Sequence, residues 1–216
     1  MMDPRLLYEL NPEAWERIRQ LSAQGRPPVL IHLLEGYVDA GQVTRSLSKH
    51  LRESAELETL VRFDHDQLHD YRARRSVITF DTDRWTAGSA LSLELSIATD
   101  EVGTEYLLLH GLEPDNQWER TIAALNHLVT QLDTAAVVTA HGAPMAVPHT
   151  RPTPITMHAT ESDRVHDNPR FIDRVDIPAS FAAYWELALG THGRLAMGFA
   201  ALVPHYLAQT PFQQAV

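Results

Sequence analysis

The run Val29-Leu30-Ile31-His32-Leu33-Leu34 limits the fold more than any other stretch of this chain. Its apolar residues are continuous rather than alternating, the pattern of a strand covered on both faces. It ends in Glu35-Gly36-Tyr37-Val38-Asp39-Ala40-Gly41, and a helix with Val43, Leu47 and Leu51 on one stripe follows. A covered strand followed at once by an amphipathic helix belongs to an α/β domain, with helices on both faces of a mainly parallel sheet.

The rest of the chain repeats this alternation. Residues 58–63 and 76–80 read as strands separated by a histidine- and aspartate-rich loop over 64–70. Trp85 and the alternating Leu91, Leu93, Leu95 and Ile97 extend the strand pattern, so antiparallel neighbours are expected there. Residues 105–111 form another covered strand. The helix over 115–132 has the clearest period, with Trp118, Ile122, Leu125, Val129 and Leu132 at spacings of four, three, four and three. Strands follow at 137–138, 154–158 and 195–203. Pro178 opens a helix carrying Phe181, Trp185 and Leu189, closed by Gly190 and Gly193. Residues 1–27, with Asn11 capping a short helix that Pro12 starts, read as an N-terminal arm or lid on a single domain of residues 28–216. A closing helix is expected where the chain reaches 208–216, so its C-terminal end reads as truncated.

Composition removes several classes of function. Net charge is -10, from 18 basic and 28 acidic residues, and the densest basic cluster is Arg72, Arg74 and Arg75. Such a chain is a poor match to a nucleic-acid backbone. With no cysteine, disulfides, thiolate metal sites and a cysteine nucleophile are excluded. Met1-Met2-Asp3-Pro4-Arg5 lacks the apolar core of a signal peptide, and no apolar run approaches the roughly 20 residues of a membrane helix. No membrane partner is expected, and the expected location is the cytoplasm.

In open α/β sheets, ligands bind beyond the carboxyl ends of the strands. Five polar segments follow strands here: 35–41, His110 to Pro114, His141-Gly142, His149-Thr150-Arg151 and His205-Tyr206. In a parallel sheet all five share one edge. Gly36 and Gly41 flank a strand-to-helix turn whose backbone N–H groups suit an anion, or they permit the turn while Asp39 caps the helix. Glu113 faces the same choice between ligand and cap at the head of the long helix, with Gly111 just before it. His149 and Arg151 stand between Pro148 and Pro152. They offer an acid/base and an anion clamp, or else a loop anchored by its own bonds or bridging subunits. The pairs His65/His69 and His141/His149 lack a third ligand, and neither H-E-x-x-H nor G-x-S-x-G occurs, so no metal, cofactor or serine triad is expected.

Taken together, Leu34-Glu35-Gly36-Tyr37-Val38-Asp39-Ala40-Gly41, Leu108-Leu109-His110-Gly111-Leu112-Glu113-Pro114, Trp118, Val147-Pro148-His149-Thr150-Arg151-Pro152 and Val203-Pro204-His205-Tyr206-Leu207-Ala208 make the chain resemble the PAC2 family, named after a proteasome assembly chaperone, and its actinobacterial branch in particular. The resemblance implies a three-layer α/β/α sandwich similar to phosphorylase/hydrolase-like folds. It also implies a homo-oligomer such as a trimer, a protein partner, and a link to the proteasome. The function it suggests is a non-catalytic binding or assembly-chaperone-like protein. The alternative is a hydrolase or phosphorylase-type enzyme on a small anionic or nucleoside-like substrate. That enzyme would need His149, Arg151 and Glu35 to line one pocket.

Overall fold

The computed structural model describes residues 2–166, 168 and 174–216. Among these residues ten strands are formed: β1 (Tyr8–Leu10), β2 (Val29–Glu35), β3 (Glu56–Phe63), β4 (Ile78–Asp81), β5 (Arg84–Gly88), β6 (Leu93–Thr99), β7 (Glu105–Leu112), β8 (Ala136–Met145), β9 (Ile155–Ala159) and β10 (Ala196–Pro204). The helices are α1 (Pro12–Ala23), α2 (Val43–Ser54), a single turn α3 (His65–Leu68), α4 (Trp118–Gln131) and α5 (Phe181–Thr191).

Eight strands form one sheet in the order β1-β3-β6-β7-β2-β8-β10-β9. Its centre, β7-β2-β8-β10, is parallel, and β3 points the same way because two antiparallel pairings separate it from β7. The strands β1, β6 and β9 run against them. The sheet is thus mixed, with the central apolar run of β2 covered on both faces as its sequence requires.

Two helical layers enclose this sheet. On one face Leu30, Leu107, Leu109 and Val137 pack with Ile18 of α1, Leu125 and Leu128 of α4, and Phe181 and Trp185 of α5. On the other, Leu33, Ala98 and Leu108 meet Leu47 and Leu51 of α2. Burying each such side chain contributes about 1.5–3 kcal/mol, so the periodic apolar stripes define which face each helix presents. The result is an α/β/α arrangement. No described helix is long and apolar enough to cross a membrane.

Residues 2–27 join this architecture directly. Strand β1 adds an edge to β3, Leu7 and Ile18 are fully buried, and Asn11 Oδ1 accepts the N–H groups of Glu13 and Ala14 to cap α1. Arg120 of α4 holds this segment, donating from Nε and Nη2 to the Asp3 carbonyl at 3.1 and 2.8 Å.

The sequence reading differs from the structure at three places. First, β4 and β5 form a separate two-stranded hairpin that stands outside the main sheet. Second, His141-Gly142-Ala143-Pro144 is not a turn after the strand but the continuation of β8. Beyond Thr139 only β10 flanks β8, because β2 ends its pairing at His32 opposite Thr139. A proline opposite Val203 is tolerated there, since one side of the strand has no ladder to break. Third, α4 starts at Trp118, after a left-handed Gln117, rather than at Asp115.

Candidate functional site

The four central strands deliver their carboxyl ends to one edge of the sheet. Glu35 and Gly36 follow β2, Glu113 follows β7, His149 and Arg151 lie beyond β8, and His205 and Tyr206 follow β10. These residues divide into two groups with separate partners.

The first group is built around Glu113. Its Oε1 accepts the Tyr37 N–H at 2.7 Å and its Oε2 accepts the Phe181 N–H at 3.2 Å. The first bond fixes the turn after β2, and the second caps the first turn of α5. Glu113 therefore caps a helix, but it is α5, 68 residues away in the chain, and not the helix that follows it. Gly36 makes the approach possible: a methyl there would fall 2.1 Å from Glu113 Cδ. The side chain is only 9% exposed, and Arg74 stands 3.8 Å from Oε1 while pairing with Asp115 at 2.8 Å.

Asp39 serves the neighbouring helix. Its carboxylate accepts the N–H groups of Thr44 at 2.7 Å and Arg45 at 3.2 Å, capping α2. Glu35 lies 3.6 Å from the Arg45 guanidinium on the surface. Gly41 takes φ +70, donates to the Ala208 carbonyl and accepts from Phe212, so it anchors the segment after β10. Gly111, at φ +115, leaves room for the Ser92 carbonyl, which a methyl there would approach to 2.1 Å.

The second group joins the two proline-histidine loops. Tyr206 Oη accepts the His149 N–H at 3.1 Å and lies 2.8 Å from His149 Nδ1, with the rings edge to face. The His205 ring meets Tyr206 edge to face, with centroids 5.3 Å apart. Arg151 is exposed and has no hydrogen bond or ion pair among the described residues.

Between α5 and the ends of β2, β8 and β9 lies a cleft of about 250 Å³. Glu113, Thr139, His141, His158 and Glu186 line it, with the hydroxyls of Tyr37, Thr44 and Ser180. Cross-strand register explains the convergence. His32, Thr139, Gly198 and His158 stand opposite one another on β2, β8, β10 and β9. The His158 ring covers Gly198 so closely that a methyl there would fall 2.0 Å from its Cε1. His158 Nδ1 bonds Glu186 Oε1 at 2.8 Å, and the His141 ring is 6.0 Å away. Burial, reinforced by His158, lowers the pKa of His141. His32 packs on Trp185 at 4.9 Å, with its Nδ1 unpartnered among the described residues. Burial takes its pKa down to about 3.

Glu35, His149 and Arg151 do not line this cleft. His158 and Glu186 do, and sequence spacing had not marked them. They sit on β9 and α5, and only the register against Gly198 brings them together. No cluster suited to a metal ion occurs among the described residues.

An α/β/α domain whose strand-end carboxylates cap its own helices presents exposed polar loops at the carboxyl edge of its sheet, the edge at which open α/β sheets bind ligands. The chain belongs to the PAC2 family, whose model matches residues 33–216. Among solved structures it is similar to a Mycobacterium tuberculosis protein of unknown function, Rv2714, with 40% identity, a TM-score of 0.88, and 97% of this chain and 70% of that one covered. A Corynebacterium glutamicum protein of unknown function matches with 33% identity, a TM-score of 0.87, and 97% and 77% covered. The M. tuberculosis proteasome-assembly chaperone homologue Rv2125 matches with 25% identity, a TM-score of 0.78, and 87% and 80% covered. None of the curated proteins matches the chain.

Proposed function

We propose that this protein is a non-catalytic, assembly-chaperone-like binding protein of the cytoplasm that forms a homo-oligomer and captures a protein partner through its strand-end loops. The observation that carries this reading is the use made of the polar strand ends. Glu113 and Asp39 each accept two backbone N–H groups as caps, which leaves the exposed Arg151, His149 and Tyr206 for contact with another surface. An enzyme of the kind considered above would instead gather His149, Arg151 and Glu35 around a substrate. The similarity to a proteasome-assembly chaperone homologue supports a proteasome component as the partner.

The test is light scattering on the eluting protein, alone and mixed with purified proteasome α-subunits, for native chain and Arg151→Ala. The expected result is a multiple of the 24.3 kDa chain mass and co-elution with the subunits, weakened in the variant. A monomer that captures nothing would overturn the reading. So would turnover of a small molecule that Arg151→Ala abolishes.

A further inference from the structure

The cleft beneath α5 has a chemistry that the assembly reading does not use. Its polar lining includes acceptors that no protein donor uses among the described residues, beside the hydroxyls of Tyr37 and Ser180. Glu186 gives Oε1 to His158, and its second oxygen has no protein partner among the described residues. His141 lines the same space with no hydrogen bond to either ring nitrogen among the described residues, and burial keeps it neutral. The hydroxyls of Thr44 and Thr139 already donate to the carbonyls of Ala140 and His32, which turns their lone pairs outward. Neither lysine nor arginine contributes to the lining.

We propose that this cleft binds a small organic cation, its ammonium or amidinium end facing Glu186, His141 and His158 and its hydrocarbon part against Val38, Ile177 and Pro178. An anion entering here would meet two carboxylates, Glu113 and Glu186, in a partly desolvated space, with Arg74 standing 3.8 Å behind the first and outside the lining. A neutral ligand would gain the hydrogen bonds without charge assistance. A donor-rich cation satisfies the free acceptors, and the apolar wall covers its stem. The volume of about 250 Å³ admits a molecule of one ring and its substituent. This inference stands apart from the assembly reading: it concerns the α5 cleft, and neither oligomer mass nor partner capture tests it.

Benzamidine, benzamide and benzoate form a matched cationic, neutral and anionic series of one shape. Their affinities for the full chain are measured by titration calorimetry and by ligand-induced shifts of the histidine imidazole resonances. Benzamidine is expected to bind most tightly and benzoate least. Glu186→Gln, which keeps the shape and removes the charge, is expected to weaken benzamidine about tenfold. Ala183→Phe, at an exposed α5 position on the rim, is expected to close the cleft and abolish the shifts while leaving the fold intact. Benzoate binding as well as benzamidine would overturn the proposal. So would unchanged benzamidine binding by Ala183→Phe, or no binding of any of the three at millimolar concentration.

Discussion

The carboxylate of Glu113 occupies the space in which any residue other than glycine at position 36 would put its Cβ, 2.1 Å from Glu113 Cδ. Two loops and a helix start depend on this contact. Gly36 is required by the neighbour and not by its backbone angles, since its φ lies outside the left-handed region. Gly36→Ala is therefore expected to displace Glu113 and strand the Tyr37 and Phe181 N–H groups. Each buried donor left without an acceptor costs about 1–3 kcal/mol, so a total loss of about 2–6 kcal/mol is expected in urea denaturation. Glu113→Ala in the Gly36→Ala background is expected to add little, because the two changes remove the same bonds. Full additivity in that cycle would refute the shared-contact account.

Arg120 makes a second prediction. It is 5% exposed and meets no carboxylate directly among the described residues: its bonds go to the Asp3 carbonyl and to the side-chain oxygens of Gln67 and Gln117. The planar guanidinium reaches all three acceptors at once, which an ammonium cannot. Arg120→Lys is expected to destabilise the chain by about 1.5–3 kcal/mol despite keeping the charge. Amide exchange should accelerate selectively over residues 3–10, which hold the single 3-10 turn Pro4–Leu7 and edge strand β1. Equal acceleration throughout the sheet would show that Arg120 supports the core and not the N-terminal segment.

Acid should destabilise the fold through its buried histidines. The His32 imidazole is held near 3 against an ordinary 6.5, by burial first and by His141 and His158 second. Between those values the unfolded chain binds a proton that the folded chain excludes, so falling pH favours unfolding. The stability is complete above pH 6.5 and is lost progressively as pH falls from 6.5 toward 3, by up to about 1.4 kcal/mol per pH unit for this group. Burial lowers His69, His110 and His141 as well, which steepens the same trend. Urea midpoints measured from pH 7.5 down to 5 should fall, and His32→Phe, which keeps a ring against Trp185, should fall less steeply. An identical slope in both proteins would exclude His32 as a contributor.

Much of this fold is written in local pattern. The covered run of β2, the four-three-four spacing of Trp118 to Leu132 and the capping pair Asn11-Pro12 each act within a few residues, and each element stands where its pattern puts it. The site was less legible because its contacts are distant. A glutamate beside Pro114 looks like the cap of its own helix, and nothing local signals that α5 will bring the Phe181 N–H to it. Pro144 looks like a turn residue until the sheet order shows that β8 lacks a second neighbour at that level. His158 carries no motif. Its role depends on Gly198 of the adjacent strand and Glu186 of a helix between them in the chain.

The β4–β5 hairpin is expected to open independently of the domain. Val77, Ile78, Phe80 and Trp85 are 76, 53, 56 and 64% exposed, and the ring contact that Phe80 and Trp85 make is with each other, at 4.9 Å. A two-stranded hairpin without a covering layer is marginal in water, so its amides should exchange far faster than those of β2 or β7. Trp185, in contrast, is fully buried beneath α5. Trp85→Ala should then change the global unfolding free energy by less than about 0.5 kcal/mol, the range of surface substitutions. It should also remove the most readily quenched component of tryptophan fluorescence when acrylamide is added. A large loss of global stability, or unchanged quenching, would show that the hairpin packs on the domain through Trp85.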